Sequence, residues 1–370
     1  LAIDLLEPQF ATFTLSASTA FEPLPASELV AFASCTDDVR DFHQAMATAR
    51  SLFITAHVGP DGDTLGSMLG VKHAFLKKYP QLERIDAVIA GKMPDIYRFL
   101  PGVDGVLNVD VDAQLAADQF LPQYDVAISV DCGSLDRLGP SRPWFEGARL
   151  SVNIDHHISN KCFGKSNIVL PKASASGEVV ADLLDVFGIA LDANIATCLY
   201  AALLTDTGGF KYAAATPKAF RLAGVLAEAG ANPEFIYKEI YETRPRSQVT
   251  LHARALLEAQ YNDAQTVGWA VVTRQMLKDT TCLDEHVEGI VEAIRQIDTV
   301  KIAAIFKETK EGDTKVSLRS DDHRINVASL LEPLNGGGHP MAAGATLVMD
   351  VQAGQKLLIP LLNEAVAACG

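Results

Sequence analysis

The run SLFITAHVGPDGDTLGS, residues 51–67, decides the architecture. Leu52, Phe53, Ile54 and Ala56 form an apolar run without polar alternation, which predicts a strand buried on both faces, the kind found in parallel sheets. It stops at His57. Pro60 and Gly62 then signal a turn, and DTLGSMLGVKHAFLKKY, residues 63–79, repeats its apolar positions at helical spacing. The pair Asp61 and Asp63 inside this turn has two readings. Either it is a polar bend whose Asp63 caps the following helix, or it is half of a metal site.

Working outward, the same pattern recurs: DVAISVD ends at Asp131, and RLSVNID ends at Asp155 immediately before His156 and His157. Helical periodicity marks SGEVVADLLDVFG (176–188) and ANIATCLYAALLTD (193–206). The expected fold class is therefore α/β: a larger N-terminal domain with a mostly parallel sheet flanked by helices. Past YETRPRSQVT, where Pro245 marks a link, the runs TVGWAVVTR, VKIAAIFKE, TKVSLRS and AAGATLVM alternate with EGIVEAIRQI and QKLLIPLLNEAV. This predicts a smaller α+β C-terminal domain. The expected boundaries are an extension over 1–39, a first domain over 40–243, a link over 244–250 and a second domain over 251–370. Nothing in SASTAFEPLPASELVAF chooses between a tail, a helix packed on the first domain and a dimer arm.

Composition narrows the function classes. A chain of 370 residues is long enough for about two domains. Hydrophobic residues make up 48%, yet no run approaches the roughly 18 apolar residues of a membrane span. The six cysteines are scattered without CxxC spacing, which implies free thiols, a reducing compartment and hence a cytoplasmic setting. The opening LAIDLLEPQF has no basic n-region and resembles neither a secretory signal nor a transit peptide. The formal net charge of −15 opposes binding along a long phosphate backbone. Any nucleic-acid partner should be short.

In open α/β sheets, ligands bind beyond the carboxyl ends of the strands. Three strand ends here deliver acids to that place, two of them with histidines. Carboxylates crowded together repel one another, and a divalent cation is the natural counter-charge. Carboxylates mixed with imidazoles suit Mn²⁺, Co²⁺, Fe²⁺ or Zn²⁺, with Mn²⁺ the first choice. The candidate ligands outnumber the needs of one ion, which points to two ions sharing a carboxylate and to phosphoester chemistry. Blander readings stand beside this one: Asp206 in LLTDTGGF as a helix terminator, His156 and His157 as filler, Cys132 as a small buried thiol. In the C-terminal part, Arg319 and Ser320 end a strand, and NGGGHP offers backbone N–H groups at Gly336, Gly337 and Gly338 beside His339. That combination reads as anion recognition or as a flexible glycine-rich loop.

The blocks HVGPDGD, SVDCG, IDHH and LLTDTGGF, in this order, resemble the four motifs of the DHH phosphoesterases. VSLRS and NGGGHPMAAGA resemble the DHH-associated domain of the nanoRNase and 3′-phosphoadenosine 5′-phosphate phosphatase branch. The resemblance implies one ion held by His57, Asp61 and Asp131 and a second by Asp63, Asp131, His156 and Asp206, with Asp131 shared. It further implies that His157 touches the substrate phosphate and that Asp155 orients an imidazole or a water. Arg319, Ser320, Gly336, Gly337, Gly338 and His339 would hold a terminal phosphate across a cleft between the two domains. The implied activity is metal-dependent hydrolysis of short oligoribonucleotides to mononucleotides and of 3′-phosphoadenosine 5′-phosphate to AMP. Alternatives are a cyclic- or linear-dinucleotide phosphodiesterase and an inactive nucleotide sensor. No membrane partner is expected, and a homodimer stays open.

Overall fold

The computed structural model describes residues 26–110 and 123–369. The described residues up to Thr243 form one unit and those from Arg244 a second.

The first unit is built on six parallel strands: β1 (Ser51–Ala56), β2 (Arg84–Ile89), β3 (Val106–Asn108), β4 (Val126–Val130), β5 (Leu150–Asp155) and β6 (Ser166–Val169). Their order across the sheet is β3-β2-β1-β4-β5-β6. The order reverses between β1 and β4, so the crevice at their carboxyl ends is the topological switch point where such sheets bind ligands. Both faces are covered. Leu52 and Ile54 join one apolar cluster with the helices Gly62–Lys78, Ser176–Val186 and Ala193–Asp206, whereas Phe53 packs on the other face with Tyr124, Trp144 and Phe145. Double burial is why the central strands read as unbroken apolar runs. The outer strands β2, β3 and β6, of which β3 and β6 form the edges, carry no such signal, being short or opened by charged and polar residues.

Residues 1–25 of the expected extension lie outside the described residues. From Ala26 onward it is part of the first unit: a 3₁₀ turn (Ala26–Phe32) buries Leu29 and Phe32, and the helix Thr36–Thr48 buries Val39, Phe42 and Met46 in the same core.

Helix Gly62–Lys78 approaches helix Ala193–Asp206 along a stripe of glycines four residues apart. A Cβ on Gly62 would lie 2.4 Å from the Thr205 side chain, one on Gly66 2.4 Å from the Cys198 carbonyl, and one on Gly70 2.7 Å from Leu199. Gly62 is thus needed for close packing, and it is the first helical residue rather than the source of the bend. The bend uses Gly59, whose φ is +72°. Gly66→Ala should gain helix propensity yet lose stability by about 1–3 kcal/mol, because the methyl meets backbone that cannot give way. Thermal unfolding checks this, with a fall of about 2–4 °C per kcal/mol expected for a domain of this size.

The second unit has a mixed sheet of β7 (Gln260–Tyr261), β8 (Val267–Val272), β9 (Ile302–Glu308), β10 (Thr314–Ser320), β11 (Gly337–His339) and β12 (Ala342–Leu347), in the order β11-β12-β10-β9-β8-β7. Only β8 and β9 run parallel. The helix Val351–Ala367 packs on one face through Leu358 and Leu362. Of the expected link, Arg246 onward belongs to the helix Arg246–Leu257, whose Leu251 and Ala255 enter this unit's core. Its apolar positions are spaced for a helix, and Pro245 opens it rather than breaking it.

Candidate metal centre

His57 follows β1, Asp131 follows β4, and Asp155, His156 and His157 end and follow β5. The helix Gly62–Lys78 brings Asp61 and Asp63, and the helix Ala193–Asp206 ends on the last acid, Asp206.

Asp61, not Asp63, caps the helix: its Oδ1 accepts from the Thr64 N–H at 3.0 Å. Its other oxygen lies 3.9 Å from His57 Nε2. The cap and the candidate ligand are therefore one residue. Asp63, fully buried, reaches across to a different helix, accepting the backbone N–H groups of Ser176 at 2.6 Å and Gly177 at 2.9 Å. That contact satisfies the first donors of helix Ser176–Val186, which has no side-chain cap of its own.

Asp131 sits between two groups. Its backbone is left-handed at φ +52°, a conformation uncommon for a non-glycine residue but tolerated by Asp. Oδ2 accepts from the buried Thr64 hydroxyl at 2.8 Å and lies 3.6 Å from His57 Nε2. Oδ1 accepts from the buried Ser176 hydroxyl at 3.1 Å and lies 3.9 Å from His156 Nε2. His156 Nε2 in turn faces Asp206 Oδ2 at 3.2 Å and Asp63 Oδ2 at 3.8 Å. The structure thus brings together His57, Asp61 and Asp131 on one side, and Asp63, His156 and Asp206 on the other.

The donor set fits divalent cations on two observations. His57 Nδ1 lies 3.0 Å from the Val58 carbonyl and His156 Nδ1 3.2 Å from that of Ala173. A carbonyl only accepts, so each Nδ1 carries the hydrogen and, in the neutral ring, each Nε2 turns a lone pair toward the acids. Several facing separations of 3.6–3.9 Å exceed hydrogen-bond length. They suit atoms aimed at a common centre about 2 Å from each.

Electrostatics agree. Burial, then the charges of Asp131, Asp206 and Asp61, push Asp63 well above the usual carboxylate range. Burial and the neighbouring acids likewise raise Asp206 to about 6, against the opposing pull of His156. For Asp155 burial is overcome by hydrogen bonds, and its carboxyl is held below the ordinary value. It accepts from His157 Nδ1 at 2.7 Å, from the His156 N–H at 2.8 Å and from Asn160. That bond to Asp155 is the main cause lifting His157 to about 9, so its ring is cationic at neutral pH.

In the second unit Arg319 donates to Glu292 Oε1 at 2.9 Å and lines a pocket of about 300 Å³ with Lys307 and Lys315. Ser320 is buried, and its hydroxyl donates to the Asp322 carbonyl at 2.9 Å. NGGGHP is not a free loop. Gly337, Gly338 and His339 pair with Gly344, Ala343 and Ala342 as an exposed edge strand. Gly336 and Gly338 lack room for a side chain against this neighbour, whereas Gly337 opens to solvent.

Sequence reasoning missed Thr64, Ser176 and Asn160, the groups that fix the acids. Ser and Thr at helix starts read as local caps, and nothing local shows that their partners lie 45 to 67 residues away.

A parallel sheet with paired acid and histidine clusters at its switch point, followed by a second mixed-sheet unit, is the build of a hydrolytic phosphoesterase. Comparison with known proteins gives the family. Residues 51–203 match the DHH family, N-terminal domain, and residues 271–366 match the DHHA1 domain. The chain is 30% identical over 325 residues to the bifunctional oligoribonuclease and PAP phosphatase NrnA of Thermus thermophilus, covering 86% of this chain and 91% of the relative. It is 29% identical to the probable enzyme of that name from Streptococcus mutans, covering 80% and 89%. Its fold is similar to that of an exopolyphosphatase-related protein from Bacteroides fragilis, with a TM-score of 0.81 at 24% identity over 90% of this chain and 96% of the other. The chain belongs to the DHH family of phosphoesterases. Among the described residues, no helix is long and apolar enough to cross a membrane.

Proposed function

We propose that this phosphoesterase hydrolyses short oligoribonucleotides to mononucleotides and 3′-phosphoadenosine 5′-phosphate to AMP. The observation that carries the reading is Asp131, whose two oxygens face two different acid and histidine groups. His57, Asp61 and Asp131 would hold one divalent ion and Asp63, Asp131, His156 and Asp206 another, with Mn²⁺ first among candidates. When bound, these ions supply Lewis-acid charge for the phosphoryl oxygens and lower the pKa of water.

The chain's own residues do the rest. Asp155 fixes the His157 ring by its Nδ1, leaving Nε2 and a positive charge for a phosphoryl oxygen. In the hydrolysis the water oxygen bonds to phosphorus and gives up a proton to solvent, the ester P–O bond breaks, and the departing oxygen takes a proton that a cationic His157 is placed to give, the ring then regaining one from solvent. Arg319, His339 and the backbone of Gly337 supply donors for a terminal phosphate. The net charge of −15 disfavours binding along a long phosphate backbone, which supports short substrates.

The test is turnover by the full chain, with Mn²⁺, of 3′-phosphoadenosine 5′-phosphate, two- to five-nucleotide RNAs, cyclic dinucleotides and pyrophosphate. Cleavage of the first two classes is expected, and His339→Ala should raise KM on the order of 10- to 100-fold where a terminal phosphate is present. Dominant cleavage of pyrophosphate or cyclic dinucleotides overturns the assignment. Nucleotide binding without turnover would make the chain a sensor.

A further inference from the structure

Directly after Asp206 the chain makes an unusual reversal. Gly208, Gly209 and Phe210 have φ values of +59°, +71° and +62°, three successive left-handed residues of which the last is not glycine. This tight path folds tyrosines back over it. A Cβ on Gly208 would lie 2.3 Å from the Tyr212 ring, and one on Gly209 3.6 Å from Tyr237 and 3.7 Å from Tyr241. The Tyr212 ring leaves no room for a side chain on Gly208, and the other two rings lie in van der Waals contact over Gly209, two and three residues beyond the candidate ligand Asp206.

The helix carrying the other two rings is distorted to match. Lys238–Glu242 is a π turn, a local irregularity found frequently at functional sites. It brings Tyr241 onto helix Ala193–Asp206, where its hydroxyl donates to the Leu204 carbonyl at 3.2 Å, two residues before Asp206. Tyr237 lies against Tyr241 with ring centroids 5.0 Å apart.

Tyr241 is the anchored ring. Tyr212 and Tyr237 remain 51% and 43% exposed, so folding alone does not account for their placement. Lys211 stands with its ammonium 5.5 Å from the Tyr212 ring centroid. Exposed rings beside a cation, at the edge of a phosphoester centre, match the chemistry by which proteins hold single-stranded nucleotides: bases stack on aromatic faces and a lysine meets the phosphate.

We infer that Tyr212 and Tyr237 form a stacking subsite for a nucleobase next to the scissile phosphoester, with Lys211 on the adjoining phosphate. This rests on the oligonucleotide reading above. Stacking tolerates every base, which suits an enzyme that must take short RNAs of any sequence, and it favours purines for their larger faces.

The test uses the full chain with Mn²⁺, Tyr212→Leu, Tyr237→Leu and the double variant, all at exposed positions. Substrates are diadenylate and analogues in which each adenosine in turn is abasic. Binding of the fluorescent nucleotide 1,N⁶-etheno-AMP provides a second readout. The double variant should raise KM for diadenylate on the order of 10- to 100-fold. One abasic analogue should be equally poor for the wild type and lose little more in the variant, since base and ring form one interaction. Etheno-AMP fluorescence should be quenched by the wild type and not by the double variant. Equal losses on diadenylate and both abasic analogues, or no loss on any, would overturn the subsite. A wild type that cleaves no nucleotide would refute the proposed substrate instead, and the etheno-AMP quench then decides: lost in the variant it sustains stacking, retained or absent it removes it.

Discussion

Asp131→Asn is expected to lower turnover of every substrate by on the order of 10³-fold or more while leaving the fold intact. Loss of several kcal/mol of charge stabilisation in the transition state gives that scale. The fold should survive for two reasons. Asn accepts the left-handed backbone at this position as readily as Asp does. The Thr64 and Ser176 hydroxyls, which donate to Asp131, rotate and accept from an amide equally well, and Thr64 Oγ1 then has His57 Nε2 at 2.9 Å to donate to. One negative charge also leaves a cluster containing Asp61, Asp63 and Asp206, which offsets the attraction lost to the His157 ring 3.6 Å away, so the chelated variant should melt close to the chelated wild type. Added Mn²⁺ separates the two. At about 100 times the dissociation constant it stabilises the wild type by about 2.7 kcal/mol, a rise of about 5–10 °C in Tm at this domain size. The variant should lose most of that rise. A full Mn²⁺-induced shift in Asp131→Asn would remove this residue from the ligand set.

The strands that reach this residue were legible because burial on both faces leaves an unbroken apolar run, which ends where the chain emerges at His57, Asp131 and Asp155. The helices Ser176–Val186 and Ala193–Asp206 were legible for the complementary reason, a periodic apolar face. What could not be read depends on pairs distant in sequence. Asp63 reads as a local cap because capping rules look three residues ahead, yet it serves the N–H groups of Ser176 and Gly177, which are 113 and 114 residues away. Gly62 reads as a bend because glycine usually supplies φ freedom, yet here it makes room for Thr205. Gly336 and Gly338 repeat the lesson in the second unit, where bare backbone serves strand packing. Composition names the residue that a tight place needs. It does not say which neighbour makes the place tight.

Asp155→Asn should separate orienting a group from holding an ion. Asp155 lies in reach of Asp131, His156 and His157 as a fourth possible donor, but both its oxygens are occupied: Oδ1 by His157 Nδ1 and the His156 N–H, Oδ2 by Asn160 Nδ2. An amide there can keep its oxygen toward the two histidine donors only by turning its NH₂ onto the Asn160 NH₂. Asn160 cannot flip to relieve this, because its Oδ1 accepts from the Cys162 N–H at 2.6 Å and its Nδ2 donates to Cys132 and Asn153. The opposite orientation sets the NH₂ against the imidazole. Either way His157 loses its charged partner and the fixed ring position that goes with it. The expected result is a fall in kcat on the order of 10²- to 10³-fold with KM changed little. The Mn²⁺-induced rise in Tm should persist, in contrast to Asp131→Asn. If that rise disappears as well, Asp155 is itself a ligand, and the positioning of His157 must be sought in Asn160 and the backbone around it.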